Sequence, residues 1–188
     1  MTPPELLARI EHLFAERGGA EYHGEAVSQL EHALQAADLA ERDRRPAAWI
    51  AAALLHDIGH MLHGHGEVCA AKGVDDRHEE LGVRFLAKGF GPEVTEPIRL
   101  HVAAKRYLCG IDPGGYEENL SLASIRSLEL QGGPMSVGEA REFEANPHYQ
   151  VAVAIREYDD QAKVAGRVTP PFTHFRPYLE ATLRADPA

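Results

Sequence analysis

The chain has 188 residues, enough for one well-buried domain and short for two. Its 19 basic against 29 acidic residues give a net charge of −10, which argues against a nucleic-acid or anionic-membrane surface. A small anionic substrate would then need a local basic pocket. Cys69 and Cys109 are too few for a disulfide framework, and no run approaches the roughly 18–20 apolar residues of a membrane span. With no apolar leader at the start, a soluble cytoplasmic protein is expected. The unusual feature is 11 histidines, which add little charge at neutral pH and whose positions must explain them.

Thr2-Pro3-Pro4-Glu5 reads as a helix start, with Thr2 as N-cap and Glu5 as its capping-box partner. Leu6, Leu7, Ile10, Leu13 and Phe14 recur at helical spacing until Gly18-Gly19, leaving His12 off the stripe and solvated. A second helix is expected from about Gly24 to Arg42, with Val27, Leu30, Ala33, Leu34 and Ala37 inward and His32 inside it. By itself His32 fits a satisfied core residue better than a ligand. Tyr22-His23-Gly24-Glu25 leads into that helix, and Gly24 allows a tight turn.

Pro46 can start a third, wholly apolar helix from Ala47 that runs into Leu54-Leu55-His56-Asp57-Ile58-Gly59-His60. A buried helix ending in two imidazoles and a carboxylate is unfavourable unless those groups are paired, and a metal ion satisfies them all. His56 and Asp57 point about 100° apart, so they can flank one ion, or Asp57 can bridge two. The plainer alternative is a helix end decorated with a cap and a dipole-favoured histidine. His63 and His65 alternate with glycines and read as a surface loop better than as a ligand pair.

Asp75-Asp76-Arg77-His78-Glu79-Glu80 opens the next helix, running to Gly89. A charged histidine is disfavoured at a helix N-terminus, so His78 is expected neutral, as a metal requires. Thr95-Glu96-Pro97 is expected to restart a helix from Ile98 to Leu108, with His101 and Lys105 on one face. Leu120 to Leu130 follows, broken by Gln131-Gly132-Gly133-Pro134. A capping box at Ser136 and Glu139 opens a helix to about Asn146, and Tyr149 to Val164 carries Arg156, Asp159 and Asp160. A short helix around Tyr178 to Leu183 ends the series. No period-2 strand pattern, internal repeat, Walker motif or GxGxxG is present. The expected fold class is all-α, a single helical bundle of about eight or nine helices over residues 1–188.

His32, then His56-Asp57, then Asp159 resembles the HD-domain metalloenzymes, whose H…HD…D pattern mostly serves phosphate-ester hydrolysis. His78 and His101 are spaced as in HD proteins that hold a second metal. The flanking residues are more specific. The stretch from Tyr22 through Glu25 to His32, His101-Val102-Ala103-Ala104-Lys105-Arg106-Tyr107, Leu130-Gln131-Gly132-Gly133-Pro134-Met135 and Ile155-Arg156-Glu157-Tyr158-Asp159 resemble the HD-domain diiron oxygenases acting on 1-hydroxyphosphonates. The likeness runs from about residue 5 to about residue 180, and the loop from Met61 to Arg77 departs from it.

The resemblance implies one iron held by His32, His56 and Asp159, a second by His78 and His101, and Asp57 bridging both. It implies Tyr22 as a phenolate cap on the second iron with Glu25 beside it, and Lys105 and His60 holding the phosphonate. Ser124, Gln131 and Arg156 would be further polar groups of the pocket; their plainer readings are a helix-surface serine, a helix-end glutamine and an ordinary ion pair. Imidazole and carboxylate suit iron, manganese or zinc alike. The two Fe ions, as a mixed-valent Fe(II)/Fe(III) pair with O2 as co-substrate, therefore come from the resemblance alone.

The implied reaction cleaves the C–P bond of 2-amino-1-hydroxyethylphosphonate or its N,N,N-trimethyl analogue, giving phosphate plus glycine or glycine betaine. A trimethylammonium group would lie against aromatic faces or carboxylates, for which Trp49, Tyr107, Tyr149 and Tyr158, or Asp76 and Glu25, are available. The expected partner is a small-molecule phosphonate, with no nucleic acid and no membrane, and no oligomeric state is read in the sequence. The alternatives are an HD phosphohydrolase, in which a metal-bound hydroxide attacks a phosphate ester, and a catalytically idle metal sensor.

Overall fold

The computed structural model of the chain describes residues 1–22, 24–62, 77–112 and 114–184. Among them run nine α-helices: α1 Pro3–Arg17, α2 Gln29–Arg42, α3 Ala47–Leu55, α4 His78–Leu86, α5 Pro92–Ile111, α6 Leu122–Leu130, α7 Val137–Glu144, α8 Tyr149–Gln161 and α9 Phe172–Thr182. Isolated bridges pair Glu21 with Ser28 and Phe90 with Leu183, and no longer strand occurs among the described residues. The all-α expectation is met. His23, His63, His65, Cys69, Asp75 and Asp76 lie outside the described residues.

The bundle is organised around α3. Its sequence carries no charge, and Ile50, Ala51, Ala52, Ala53, Leu54 and Leu55 are all buried. A helix apolar on every side belongs at the centre, and α3 packs against α2, α5, α8 and α9. Leu6, Ile10, Phe14, Leu86, Phe90, Ile98, Ile155, Phe175 and Leu179 complete the main core around it. The chain that leaves the C-terminal end of α3 is therefore delivered into the interior.

Several boundaries differ from the sequence expectation. α2 starts at Gln29 because Ser28 and Glu31 form a capping box, while Gly24 sits at φ +77 in a turn that the expected helix could not contain. In that turn the Tyr22 N–H donates to Val27 O at 3.0 Å and the Glu25 N–H to Tyr22 O at 2.7 Å. α5 runs unbroken from Pro92 through Pro97, since a proline near a helix start removes only one ladder bond. α4 begins at His78, directly after Arg77 at φ +49. α8 stops at Gln161 because the Gln35 side chain takes both backbone groups of Val164, at 2.9 and 3.1 Å, and draws that segment onto α2. α9 starts earlier than expected, at Phe172, and carries Pro177 inside it.

Candidate metal centre

Six buried side chains from five helices meet behind the end of α3. His32 comes from α2, Asp159 from α8, and His101 from α5. His78 is the first residue of α4. His56 caps α3, and Asp57, at φ −104 and ψ 11, turns the chain into a 3-10 turn, Ile58–Met61. Gly59 in that turn touches the start of α4: a Cβ there would lie 1.9 Å from His78 O. Only glycine allows the approach that brings His78 beside Asp57.

The side chains form two groups that share Asp57. Ligand atoms of His32, His56, Asp57 and Asp159 lie within 4.8 Å of one another, as do those of Asp57, His78 and His101. Asp57 Oδ2 faces the first group, 3.6 Å from His32 Nε2 and 3.3 Å from His56 Nε2. Its Oδ1 faces the second, 3.3 Å from His78 Nε2 and 3.4 Å from His101 Nε2. Asp159 Oδ1 completes the first group at 3.5 Å from His32 Nε2.

The donor chemistry fits a pair of cations. The Nδ1 atoms of His32, His56 and His101 meet the carbonyls of Ala162, Ala53 and Ile98 at 3.0, 2.8 and 2.7 Å. A carbonyl only accepts, so each Nδ1 donates and each Nε2 is left with its lone pair. Yet His32 and His56 point Nε2 at Nε2 across 3.1 Å, and so do His78 and His101. For His32 and His56, lone pairs that close and buried repel each other, and a cation between them relieves this. Metal–ligand bonds of about 2.1 Å place neighbouring ligand atoms about 3.0–3.4 Å apart, close to the 3.1 to 3.6 Å between the atoms of the two groups. Asp57 Oδ1 is buried and accepts no hydrogen bond among the described residues.

Electrostatics agree with the geometry. Burial holds the His32 imidazolium down to about 3. Burial also works against a charged His56, but the Asp57 carboxylate, with Asp159 and the Ala53 carbonyl, raises its pKa above the ordinary value. For Asp57, burial opposes ionisation, and the charge of His56 beside it, with the His101 and His78 imidazoles close by, overcomes it and holds the carboxyl well below the usual range. Asp159 is likewise depressed, by Arg156 and then Lys163, against its own burial.

Cations gather on the Asp159 side. Arg156 Nη1 is 2.7 Å from Asp159 Oδ2, and Lys163 Nζ is 3.4 Å from Asp159 Oδ1. Both reach the buried Ser124 hydroxyl at 3.4 Å. Lys105 Nζ donates to Ser127 Oγ at 2.6 Å and lies 3.5 Å from Ser124 O. Burial, then Arg156, lowers Lys105 to about 7. Arg156 is buried, so the surface ion-pair reading is excluded for it. Lys163 was not singled out in the sequence, although it follows Asp159 by four residues just as Lys105 follows His101. A lysine one turn beyond a ligand was the signal that could have found it.

Tyr22 donates its hydroxyl to Asp57 Oδ2 at 2.7 Å, with Asp159 Oδ1 at 3.3 Å, and its ring stacks on His32 at 3.9 Å. The phenol therefore lies against the first group, where the resemblance implied the second. Burial, then Asp159 and Asp57, push its pKa well up. His60 stacks on His78 at 3.9 Å, with Nε2 3.9 Å from Asp57 Oδ1, which puts it beside the second group. Glu25 is half-buried in the Tyr22 turn. Gln131 closes α6, its Oε1 buried without a hydrogen-bond partner among the described residues. Four aromatics considered for a trimethylammonium group are engaged elsewhere. Tyr107 bonds Glu144, Tyr158 bonds Asp43, Tyr149 packs on Phe143, and Trp49 lies under Arg45.

An HD domain model matches residues 29–128. The chain is 46% identical over 183 residues, 97% of its length and 90% of the relative's, to the hydroxymethylphosphonate dioxygenase of Gimesia maris. It is 45% identical over 168 residues, 89% of its length and 85% of the relative's, to the [1-hydroxy-2-(trimethylamino)ethyl]phosphonate dioxygenase (glycine-betaine-forming) of Leisingera caerulea. A shared-aspartate centre of this form, on an all-helical frame with that degree of identity, places the chain in the HD-domain family, among its phosphonate dioxygenases.

Proposed function

We propose that this protein, as one HD domain, is a diiron oxygenase that uses O2 to cleave the C–P bond of a 1-hydroxyphosphonate. The observation that carries this reading is the pair of buried His/Asp groups joined through Asp57 and bordered by Lys105, Arg156 and Lys163. In a chain of net charge −10, the buried Lys105 ammonium hydrogen-bonds serine oxygens alone among the described residues, with Lys163 on the Ser124 hydroxyl beside it, so this side of the centre calls for an anion. A phosphonate dianion meets that need.

In this reading His32, His56, Asp57 and Asp159 hold one iron, and Asp57, His78 and His101 hold the other. The mixed-valent pair supplies the electron transfer to O2 that protein side chains cannot. The chain's own groups bind and orient. Lys105, Ser124 and Lys163 receive the phosphonate on the α6 and α8 side, with Arg156 and Gln131 bordering it. His60 approaches from the second group. Tyr22, hydrogen-bonded to Asp57, covers the centre until substrate arrives, and its turn, hinged at Gly24 and carrying Glu25, can lift it away. The balance is one O2 per C–P bond: the carbon leaves as a carboxylate, the phosphorus as phosphate, and a proton is released.

The similar relatives are named for substrates that differ in what C1 carries. The test is an oxygen-uptake assay of the iron-loaded protein with hydroxymethylphosphonate, 2-amino-1-hydroxyethylphosphonate and its trimethyl analogue, measuring phosphate alongside. Oxygen-dependent phosphate release from at least one is expected. Anaerobic phosphate release from a phosphomonoester, with no turnover of the three, would establish the hydrolase instead.

A further inference from the structure

Asp159 is held differently from Asp57. Asp57 turns one oxygen to each group, whereas Asp159 gives Oδ1 to the first group and Oδ2 to Arg156 Nη1 at 2.7 Å. Arg156 has little freedom in return. Its Nε donates to Asp160 Oδ2 at 3.0 Å, and its Nη2 donates to Asp160 Oδ1 and to Ser124 Oγ. Asp160 Oδ2 also accepts the hydroxyl of Tyr116, a half-buried residue between α5 and α6. Four residues thus form one line, Tyr116 to Asp160 to Arg156 to Asp159.

We propose that Tyr116 and Asp160 are positioning residues for the first metal group, locking the Arg156 fork so that Asp159 presents Oδ1 alone. The inference rests on the metal-centre reading above. A carboxylate left to itself can bind a cation through one oxygen or two, and a guanidinium seated on one oxygen removes that choice. The guanidinium is planar and rigid, so holding Nε and Nη2 on one carboxylate fixes where Nη1 points. Asp160 belongs to neither group of candidate ligands, so a metal ion does not dissolve this hold when it enters. Tyr116 then fixes the rotation of Asp160 itself.

The experiment is a chelator competition that reads the two metal equivalents separately in the metal-loaded protein, in Asp160→Asn and in Tyr116→Phe. Loss of an outer partner typically weakens metal affinity about 10–100-fold. Asp160→Asn is expected to weaken one equivalent by that amount and leave the other unchanged. Tyr116→Phe, which removes only a hydroxyl, should weaken the same equivalent by less. Repeating both in a His78→Ala background, where only the first group remains intact, identifies which equivalent moved, and the electronic spectrum of its ion should shift with it. Wild-type affinity for both equivalents in Asp160→Asn would overturn the proposal, as would an equal fall in both. Should Asp160→Asn fail to fold, an unchanged first equivalent in Tyr116→Phe would overturn it alone. None of these readouts needs turnover, so an inactive wild type would count against the oxygenase reading and not against this one.

Discussion

The two halves of the centre are constrained to different degrees. The first draws His32, His56, Asp57 and Asp159 from α2, the end of α3 and α8. Both its imidazoles donate Nδ1 to backbone carbonyls, and Asp159 is braced by Arg156. Among the described residues the second has Asp57, His78 and His101. Its His101 is anchored on Ile98 O, but His78 opens a helix with Nδ1 3.7 Å from the carboxylate of Glu79. Ligand number and outer support together set how tightly an ion is held and how much of its coordination stays open. Among the described residues the first half thus offers four candidate ligands and the second three, and the difference predicts that the first holds its ion more tightly.

The largest effect should come from removing what the halves share. Asp57→Ala is expected to lose both metal equivalents, and metal analysis that still finds two would break the comparison at its root. His78→Ala and Asp159→Ala should each lose chiefly one. In the wild type, the equivalent that His78→Ala removes should be the first to leave under increasing chelator.

Gly59→Ala sharpens the contrast without replacing a ligand side chain. The added methyl cannot fit against His78 O, and its accommodation should cost about 1–3 kcal/mol of stability. Because the displacement falls at the start of α4, the second equivalent should weaken more than the first. Equal weakening in a chelator titration would mean that the halves are mechanically coupled.

Lys105→Met should leave both metals in place and raise KM. A hydrogen bond to a charged group contributes about 1.5–3 kcal/mol, or roughly tenfold to a hundredfold. The pH dependence has a defined sign. With Lys105 lowered to about 7, its charge is present below that pH and lost above it, so KM should climb as pH rises through neutrality. Lys105→Arg stays cationic and should flatten the climb; comparing the two proteins at each pH cancels the substrate's own ionisation.

The smallest expected effect on metal content is that of Tyr22→Phe. Its hydroxyl meets Asp57 and Asp159 through hydrogen bonds, and Tyr22 belongs to neither group of candidate ligands, so both irons should remain. In the diferric, substrate-free wild type we expect a visible tyrosinate-to-iron band that the hydroxyphosphonate bleaches and that Tyr22→Phe lacks. A band that survives in Tyr22→Phe would remove the phenol from the centre.

Much of the fold was legible because it is local. The Thr2/Glu5 and Ser136/Glu139 capping boxes and the apolar run of α3 act over a few residues, and the structure has them where the sequence placed them. The all-α class followed from periodicity alone. One boundary that moved was set from far along the chain: Gln35 of α2 takes the backbone of Val164 and ends α8 early. The identities of the six buried candidate ligands were also readable, through their residue types and the resemblance they carry.

What the sequence could not fix is direction in space. It left open whether Asp57 serves one ion or two; the fold turns Oδ2 to His32 and His56, and Oδ1 to His78 and His101. The resemblance implied Tyr22 against the second group, whereas its hydroxyl here meets Asp57 Oδ2 and Asp159 Oδ1, and the partners Lys163, Asp160 and Tyr116 were not legible in the sequence. Residue type and spacing record which groups are available and which share a helix face. Which oxygen meets which nitrogen depends on how α2, α3, α5 and α8 cross, and that is decided by side-chain packing between residues distant in the chain.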